Sequence, residues 1–196
     1  MFKFSFLSLN MTILHLNSKH FDITESKNNN KILSCTLPGL VFVFFYVDYV
    51  DPNRMKKCDN CELLKPEFER LSKKLEKSYF TFAAVNLNTH ADIAKKSMQT
   101  KIKINYVPYL ILFVDGVPYL RYDSTGASDQ MEYFLSIALK ECMQKGYKPT
   151  VSSGASTVTA DETPAYKSGG IPYNILCDKN TGLCYLTFED LKKQKV

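Results

Sequence analysis

The sequence contains no tryptophan, only three arginines, and no apolar run longer than the eight residues 40–47. A helix that crosses a bilayer needs about 20 apolar residues, so we expect no membrane association. The basic residues are almost all lysines scattered among acidic residues, and without an arginine-rich stripe we expect no nucleic-acid partner. The 196 residues are 45% hydrophobic, which excludes wholesale disorder and predicts a folded domain with a core of ordinary size.

Patterns that would hold a metal ion or mark secretion are also missing. The chain has one CxxC motif rather than two, and its three histidines lack ligand spacing, so we predict no metal site. Residues 1–18 contain one lysine, a broken apolar stretch and no small-residue cleavage site, which argues against a secretory signal. The expected location is therefore cytoplasmic, where stable disulfides are rare and catalytic ones are common.

Hydrophobic periodicity predicts strands that alternate with helices. The continuous β-branched and aromatic run 40–47 is typical of a central strand buried on both faces. After Cys61, apolar residues recur at helical spacing and predict an amphipathic helix. Residues 11–16 and 80–87 predict two further strands, and residues 91–100 predict a short helix.

A hairpin and a later helix complete the predicted domain. Residues 109–114 and 117–122 flank Asp115-Gly116, a dipeptide that suits the positive φ angles of a two-residue antiparallel hairpin. Ser128 is expected to cap the following helix. The predicted core face of this helix consists of apolar residues at helical spacing: Met131, Phe134, Leu135, Ala138 and Cys142.

Composition divides the chain into four parts. Residues 1–10 form an N-terminal extension, and residues 11–145 carry all of the strand and helix patterns above. Residues 146–170 are dominated by Pro, Ser, Thr, Ala and Gly without apolar periodicity, which predicts a flexible linker. Residues 171–196 regain some order and are predicted to form a small C-terminal appendage.

The chemistry of the chain is expected at Cys58-Asp59-Asn60-Cys61, between the buried strand and the amphipathic helix. Two cysteines at i and i+3 on a first helical turn can close a small disulfide. The N–H groups at a helix N-terminus stabilise a thiolate, and Lys57 should lower the pKa of Cys58 further, whereas Asp59 opposes this effect. Cys58 is thus the expected exposed attacking sulfur, and Cys61 would resolve the mixed disulfide.

Half of a zinc site is the competing interpretation of this motif. Zinc usually takes four ligands, and the sequence offers no second CxxC and no histidine pair. Cys177 and Cys184 would have to supply the other two ligands from beyond the predicted linker. A strand before the motif and a helix after it favour a redox-active pair, and the zinc interpretation stays open.

Further motifs lie in register with the CxxC: Pro66, Ile104-Asn105-Tyr106-Val107-Pro108-Tyr109, Asp115-Gly116 and Gly126. Their order and spacing resemble the thioredoxin superfamily, including protein disulfide isomerase-like domains, over residues 11–145. In that family one proline kinks the active-site helix and a loop ending in a cis-proline precedes the hairpin. Residues 13–22 also resemble the first strand and helix start of the family.

The resemblance implies an α/β thioredoxin-like fold with a central mixed sheet flanked by helices and a flexible C-terminal extension. It implies thiol–disulfide exchange on cysteine-containing proteins, without a bound cofactor and with an upstream thiol reductant or oxidant. Pro108 would then be a cis-proline opposite the CxxC. Val107 and Pro108 would hold a substrate segment against Cys58.

The sequence also departs from the family pattern. Lys57 stands where thioredoxins place a tryptophan, and the apolar Phe44 lies near the position of their buried strand carboxylate. Asp48 and Asp51 lie in a longer connection before the CxxC and are interpreted as loop residues, although either could approach the thiols. These departures keep a second hypothesis open, namely a non-catalytic thioredoxin-fold binding or structural module.

Four cysteines lie outside the motif. Cys142 falls on a helix core face and is interpreted as a small buried hydrophobe, and Cys35 as a structural residue or a free surface thiol. Cys177 and Cys184 could form a second disulfide across a hairpin, stay reduced, or relay electrons to the CxxC.

Composition also bears on the origin of the chain. Heavy use of Lys, Asn, Ile and Phe over Arg indicates an AT-rich genome. Together with the long loops and the tail, this composition resembles that of thioredoxin-like proteins encoded by large DNA viruses. Packaging in a virion is therefore the alternative to a purely cytoplasmic location.

Overall fold

The structure of the protein, a computed structural model, describes residues 13–26, 29–48, 58–123 and 127–149, and the backbone of residues 184–185. A one-turn 3-10 helix covers Ser18–His20. The other elements, in chain order, are β1 (Leu14–His15), β2 (Phe21–Glu25), β3 (Lys31–Cys35), β4 (Leu40–Tyr46), α1 (Asp59–Lys74), β5 (Phe80–Asn86), α2 (Ala91–Ser97), β6 (Tyr106–Val107), β7 (Tyr109–Val114), β8 (Val117–Tyr122), α3 (Ser128–Gln144) and β9 (Cys184–Tyr185).

Strand β4 lies at the centre of a five-stranded sheet with the order β1-β5-β4-β7-β8. It pairs in parallel with β5, where Phe42 lies opposite Phe82, and antiparallel with β7, where Phe42 lies opposite Leu112. Every residue of β4 is buried, as expected for a run of β-branched and aromatic residues covered on both faces. The predicted α/β fold with a mixed central sheet is therefore confirmed.

Aromatic packing fixes helix α1 against this sheet. Phe68, which is 1% exposed, lies with its ring centroid 5.6 Å from that of Phe42 and 5.3 Å from that of Phe44. The ring of Phe82 is 5.5 Å away and meets Phe68 edge-on, an arrangement that aromatic pairs prefer. The predicted amphipathic helix is confirmed, since its buried hydrophobic residues recur at helical spacing: Cys61, Leu64, Phe68 and Leu71.

The β7–β8 hairpin forms at the predicted residues. Asp115 and Gly116 have φ angles of 47° and 81°, as a two-residue turn of this kind requires. A Cβ atom at Gly116 would overlap the carbonyl oxygen of Cys35, whose N–H donates to the carbonyl of Gly116 at 2.8 Å. Glycine is therefore needed here both for its backbone conformation and for the close approach of β3.

Residues 13–22, which resemble the first strand and helix start of the family, contain β1 and the 3-10 turn Ser18–His20, but the chain then continues as strand Phe21–Glu25 and not as a helix. Strand β2 follows the 3-10 turn and pairs antiparallel with β3, where Ile23 lies opposite Leu33. Asn29, in the connection, has a left-handed φ of 56°, which Asn tolerates better than most residues. Leu33 is completely buried, so the β2–β3 hairpin covers part of the core.

Helix α3 begins at Ser128, but its N-cap residue is Ala127, and the prediction that Ser128 caps it is wrong. The backbone N–H of Ser128 instead donates to the carboxylate of Glu67, on α1, at 3.0 Å. This hydrogen bond holds the pKa of Glu67 below its ordinary value. A carboxylate from a neighbouring helix thus satisfies a free N–H and meets the positive end of the α3 dipole. On the predicted core face, Phe134 is only partly buried.

Much of the predicted four-part organisation lies outside the described residues. This applies to the extension 1–10, to most of the linker 146–170 and to all but two residues of the appendage 171–196. Gly126 and Asp51 also lie outside them. Among the described residues, no helix combines the length and the apolar character that crossing a membrane requires.

Substitution of Phe68 by alanine should lower the free energy of unfolding by about 3–5 kcal/mol, because a fully packed aromatic ring leaves a cavity between α1 and β4. Urea denaturation of the two proteins measures this difference. The matched variant Phe68→Leu keeps most of the side-chain volume, so its free energy of unfolding should fall clearly less. Equal losses in the two variants would contradict the packing role of the ring.

Substitution of Glu67 by glutamine should destabilise the protein at pH 7, because the charge that meets the N–H of Ser128 is lost while an acceptor oxygen remains. The folded-state pKa of Glu67 is lowered, so its contribution is present above the unfolded value of about 4.3 and is lost as the pH falls through the folded value. The urea midpoints of the two proteins should therefore differ at pH 7, and this difference should shrink as the pH falls below 4. The exposed Glu69→Gln serves as the control and should show no such convergence.

Candidate functional site

Helix α1 begins directly after Cys58, which is its N-cap residue. The sulfur of Cys58 accepts a hydrogen bond from the backbone N–H of Cys61 at 3.2 Å, and a disulfide joins the two residues. In the reduced state, the same N–H and the helix dipole would stabilise a negative charge on Cys58. The geometry therefore favours Cys58 over Cys61 as the thiolate.

Both sulfur-bearing residues are buried, with 4% of Cys58 and 2% of Cys61 exposed. The expectation that the Cys58 sulfur is exposed is therefore wrong for this disulfide-bonded state, and its role as the attacking sulfur stays a prediction. Cys58 is buried because it lies between the first turn of α1 and strand β6, where its sulfur lies 3.8 Å from the carbonyl oxygen of Val107. Asp59 is exposed and Lys57 lies outside the described residues, so pKa tuning by these charges stays a prediction.

Val107 and Pro108 lie beside the disulfide, in the loop that the sequence analysis selected. Val107 is completely buried, and the peptide bond between Val107 and Pro108 is cis. Val107 belongs to β6, which is separate from the five-stranded sheet, so its backbone groups can pair with a different strand. The fold thus brings Val107 to Cys58 across a separation of 49 residues.

A strand from the C-terminal part of the chain pairs with β6, and the sequence analysis did not predict it. Strand β9 runs antiparallel to β6, with Cys184 opposite Val107 and Tyr185 opposite Tyr106. The sequence signal is weak, because one β-forming aromatic residue beside a cysteine does not specify a partner strand. The three alternatives for Cys177 and Cys184 (a second disulfide, two reduced thiols or a relay) stay open, since Cys177 and the Cys184 side chain lie outside the described part of the chain.

Arg121 supports β6 from the side of the hairpin, another contact that sequence reasoning missed. Its guanidinium lies 5.9 Å from the ring centroid of Tyr106 and 5.4 Å from that of Tyr109, and it donates to Asp123 at 2.6 Å. Burial raises the pKa of Tyr109 while Arg121 opposes that shift. Each cation–π contact contributes about 0.5–2 kcal/mol, and together they hold β6 in place beside the sulfurs.

Asp48 belongs to a polar cluster at the end of β4. Its carboxylate accepts a hydrogen bond from the side-chain amide of Asn86 at 2.8 Å and lies 3.5 Å from the ammonium of Lys65. Lys65 also lies over the ring of Tyr46, 5.2 Å from its centroid. These contacts agree with the interpretation of Asp48 as a loop residue with structural partners.

Phe44 fills the place where the family pattern has a carboxylate. It is 1% exposed, and its ring lies 5.3 Å from that of Phe68 and 5.2 Å from that of Tyr46. An apolar ring at this position can neither accept nor donate a proton. Phe44 therefore cannot tune the pKa of the thiols, and a thiolate at Cys58 would be stabilised by the N-terminus of α1.

Cys35 and Cys142 are free thiols, and each is 4% exposed. Burial raises the pKa of each thiol to about 11, so both stay protonated near neutral pH and react slowly. The interpretation of Cys142 as a small buried hydrophobe is confirmed. Cys35 fits the structural alternative and is not a surface thiol.

The described residues contain no group of three or more His, Cys, Asp or Glu side chains arranged to hold a metal ion. Two of the histidines have structural partners: His20 accepts the N–H of Asn17 at 3.1 Å, and His90 lies 3.3 Å from the hydroxyl of Ser18. A zinc site at the CxxC would need two free thiolates, whereas these cysteines are joined to each other here.

Comparison with known proteins finds relatives in viruses. The chain is 25% identical over 134 residues to the uncharacterized protein 196R of Invertebrate iridescent virus 6, covering 68% of this chain and 67% of that protein. It is 24% identical over 185 residues to the uncharacterized protein 020R of Invertebrate iridescent virus 3, covering 93% and 97%. Both relatives are viral, which supports the viral origin expected from the composition.

Two crystal structures of human ERp44 are also similar. One is 22% identical, with a TM-score of 0.41, and the match covers 50% of this chain and 27% of that chain. The other, form I, is 21% identical, with a TM-score of 0.45, and the match covers 64% and 29%. The chain therefore spans less than a third of the length of these structures.

A family model described as Thioredoxin matches residues 39–137. This match covers just over half of the 196 residues and includes the central strand, the disulfide, Val107, Pro108 and the hairpin. The chain belongs to the thioredoxin family.

Proposed function

We propose that this protein is a thiol–disulfide oxidoreductase that acts on cysteine-containing proteins. The observation that carries the proposal is the position of Cys58 at the N-cap of α1, where its sulfur accepts the N–H of Cys61 and is bonded to the Cys61 sulfur. A sulfur in this position is stabilised as a thiolate and has its resolving partner one helical turn away. Membership of the thioredoxin family supports the same function.

The proposed reaction is two successive thiol–disulfide exchanges. In the reducing direction, the Cys58 thiolate bonds to one sulfur of a substrate disulfide, and the other substrate sulfur leaves and takes up a proton. The Cys61 thiolate then attacks Cys58, which releases the first substrate sulfur and forms the Cys58–Cys61 disulfide. An upstream thiol reductant restores the dithiol, an upstream oxidant drives the reverse sequence, and no bound cofactor takes part.

Val107 and Pro108 are the proposed substrate-holding residues. The carbonyl oxygen of Val107 lies 3.8 Å from the sulfur of Cys58, and the pairing of β6 with β9 shows that β6 can pair with an antiparallel strand. An extended substrate segment on β6 would place its own cysteine next to Cys58. Pairing of this kind gains affinity from main-chain hydrogen bonds, which supports extended cysteine-bearing segments of varied sequence as the substrate class.

A non-catalytic thioredoxin-fold module is the second candidate, and the burial of Cys58 favours it. With 4% of its surface exposed, Cys58 offers little area to an incoming sulfur, and Phe44 replaces the carboxylate of the family pattern. Such a module, for example a virion component, would keep the disulfide without turnover. The two candidates predict different reduction potentials for the Cys58–Cys61 pair, since structural disulfides typically have potentials below about −300 mV.

We expect Cys58 and Cys61 to show one reversible two-electron transition in graded glutathione buffers, measured by alkylation and peptide mass spectrometry. A midpoint near roughly −270 mV would indicate a reductant, and one near −120 to −180 mV an oxidase or isomerase. Cys35 and Cys142, whose pKa values are about 11, should not change across the series and serve as an internal reference. A disulfide that stays closed at every potential above about −300 mV would favour the non-catalytic module.

The two cysteines should respond differently to substitution by serine. Cys58→Ser should reduce insulin no faster than buffer alone, because the attacking sulfur is gone. Cys61→Ser should accumulate a mixed disulfide with its substrate, visible by mass spectrometry without reductant, because no resolving thiol remains. Cys35→Ala, at a buried free thiol, is the control and should keep its activity. Trapping by Cys58→Ser instead of Cys61→Ser would reverse the assigned roles.

A further inference from the structure

Strand β6, which lies beside the disulfide, is already paired with strand β9 of the same chain. Cys184 lies directly opposite Val107, and Tyr185 lies opposite Tyr106, in an antiparallel pair. Directly opposite residues in such a pair have Cα atoms about 4.5–5.5 Å apart. The β9 backbone therefore takes the place that an extended substrate would take in the function proposed above.

The register places a cysteine at this position. Cys184 is paired with the residue whose carbonyl oxygen lies 3.8 Å from the sulfur of Cys58. A shift of the pairing by one residue would put a different side chain opposite Val107. The described cysteines outside the CxxC and β9, Cys35 and Cys142, are buried elsewhere as free thiols.

The burial of the site agrees with an occupied β6. Cys58 is 4% exposed and Val107 is completely buried, so a second protein cannot reach either residue unless something that covers them is displaced. A strand of the same chain pairs with β6 in an intramolecular step and therefore competes with free substrate at an effective concentration that does not depend on the concentration of the protein. Strand β9 is therefore an internal competitor for this edge.

We propose that Cys184 is an internal substrate of the Cys58–Cys61 pair, a proposal that rests on the oxidoreductase function above. The Cys184 thiolate attacks Cys58, so that a Cys184–Cys58 bond forms and the Cys58–Cys61 bond breaks. Cys61 leaves as a thiolate and takes up the proton that Cys184 gave up. The oxidation level of the chain does not change, and no external oxidant is consumed. Attack of Cys61 on Cys58 reverses the exchange and frees Cys184.

This exchange makes access to the site depend on the C-terminal strand. While Cys58 is bonded to Cys184, it cannot attack a substrate sulfur, and β6 cannot pair with a substrate strand. The strand leaves only after Cys61 or an external thiol has released Cys184. Substrates are therefore selected for their ability to displace an extended, cysteine-bearing segment that is already in place.

The test uses the full chain carrying Cys61→Ser, in which a bond made by Cys58 cannot be resolved. Oxidised glutathione first forms a mixed disulfide with Cys58, and Cys184 then displaces glutathione as a thiol. Digestion without reductant and mass spectrometry give the ratio of the Cys58–Cys184 bond to the glutathione adduct. We expect the internal bond to be the major product in Cys61→Ser. The matched control, which also carries Cys177→Ser, should behave in the same way.

Addition of Cys184→Ser to the Cys61→Ser chain should leave the glutathione adduct alone. Equal pairing of Cys58 with Cys177 and Cys184 would show that tethering, not register, controls the exchange, and would overturn the proposal. A stable glutathione adduct without an internal bond would also overturn it, while the oxidoreductase function would stand. Failure of Cys58 to form even the glutathione adduct would refute the function and the internal substrate together.

A substitution in β9 tests the strand pairing itself. Tyr185→Pro, in the Cys61→Ser chain, removes a backbone N–H and fixes a φ angle that disfavours the strand, so the ratio of internal bond to glutathione adduct should fall severalfold. Tyr185→Ala keeps the N–H and should retain a ratio near that of its parent. Equal ratios in the proline and alanine variants would show that β6–β9 pairing does not position Cys184.

Discussion

The packing of Phe68 between helix α1 and the central sheet is the contact on which the rest of the site depends. Three rings of β4 and β5 surround it, and this fixes the helix at one angle and height above the sheet. The N-terminus of α1 is thereby held where Cys58 meets Val107, although the two residues lie far apart in sequence. Loss of this contact would separate the sulfurs from β6 before it changed any reacting group.

Two backbone groups of the described residues contact Cys58. The N–H of Cys61 donates to its sulfur, and the carbonyl of Val107 lies beside it, while Phe44, near the position of the carboxylate in the family pattern, is a buried ring that does not titrate. Backbone groups are fixed by the helix and strand that contain them and do not change charge with pH. In the proposed reaction, the acidity of Cys58 is therefore tied to the integrity of the first turn of α1.

Sequence reasoning succeeded where neighbouring residues decide the structure, as in the turn at Asp115-Gly116 and the CxxC at the start of α1. It failed where the deciding group is distant: the carboxylate that caps α3 comes from Glu67, 61 residues before Ser128. Strand β9 and the burial of Cys58 escaped prediction for the same reason, because both depend on tertiary contacts. The family resemblance of residues 13–22 did not reveal that the chain continues as strand β2, which the β-branched Ile23 and Thr24 favour.

The pairing of β6 with β9 joins two parts of one polypeptide, and this has a consequence for how the protein responds to dilution. Two proteins that meet by diffusion separate when they are diluted, whereas two strands of the same chain, such as β6 and β9, reach a unimolecular equilibrium. The occupied fraction is then the same for a single molecule and for a concentrated solution. The fraction of open molecules would therefore report the abundance of competing strands around the protein, and not the amount of the protein itself.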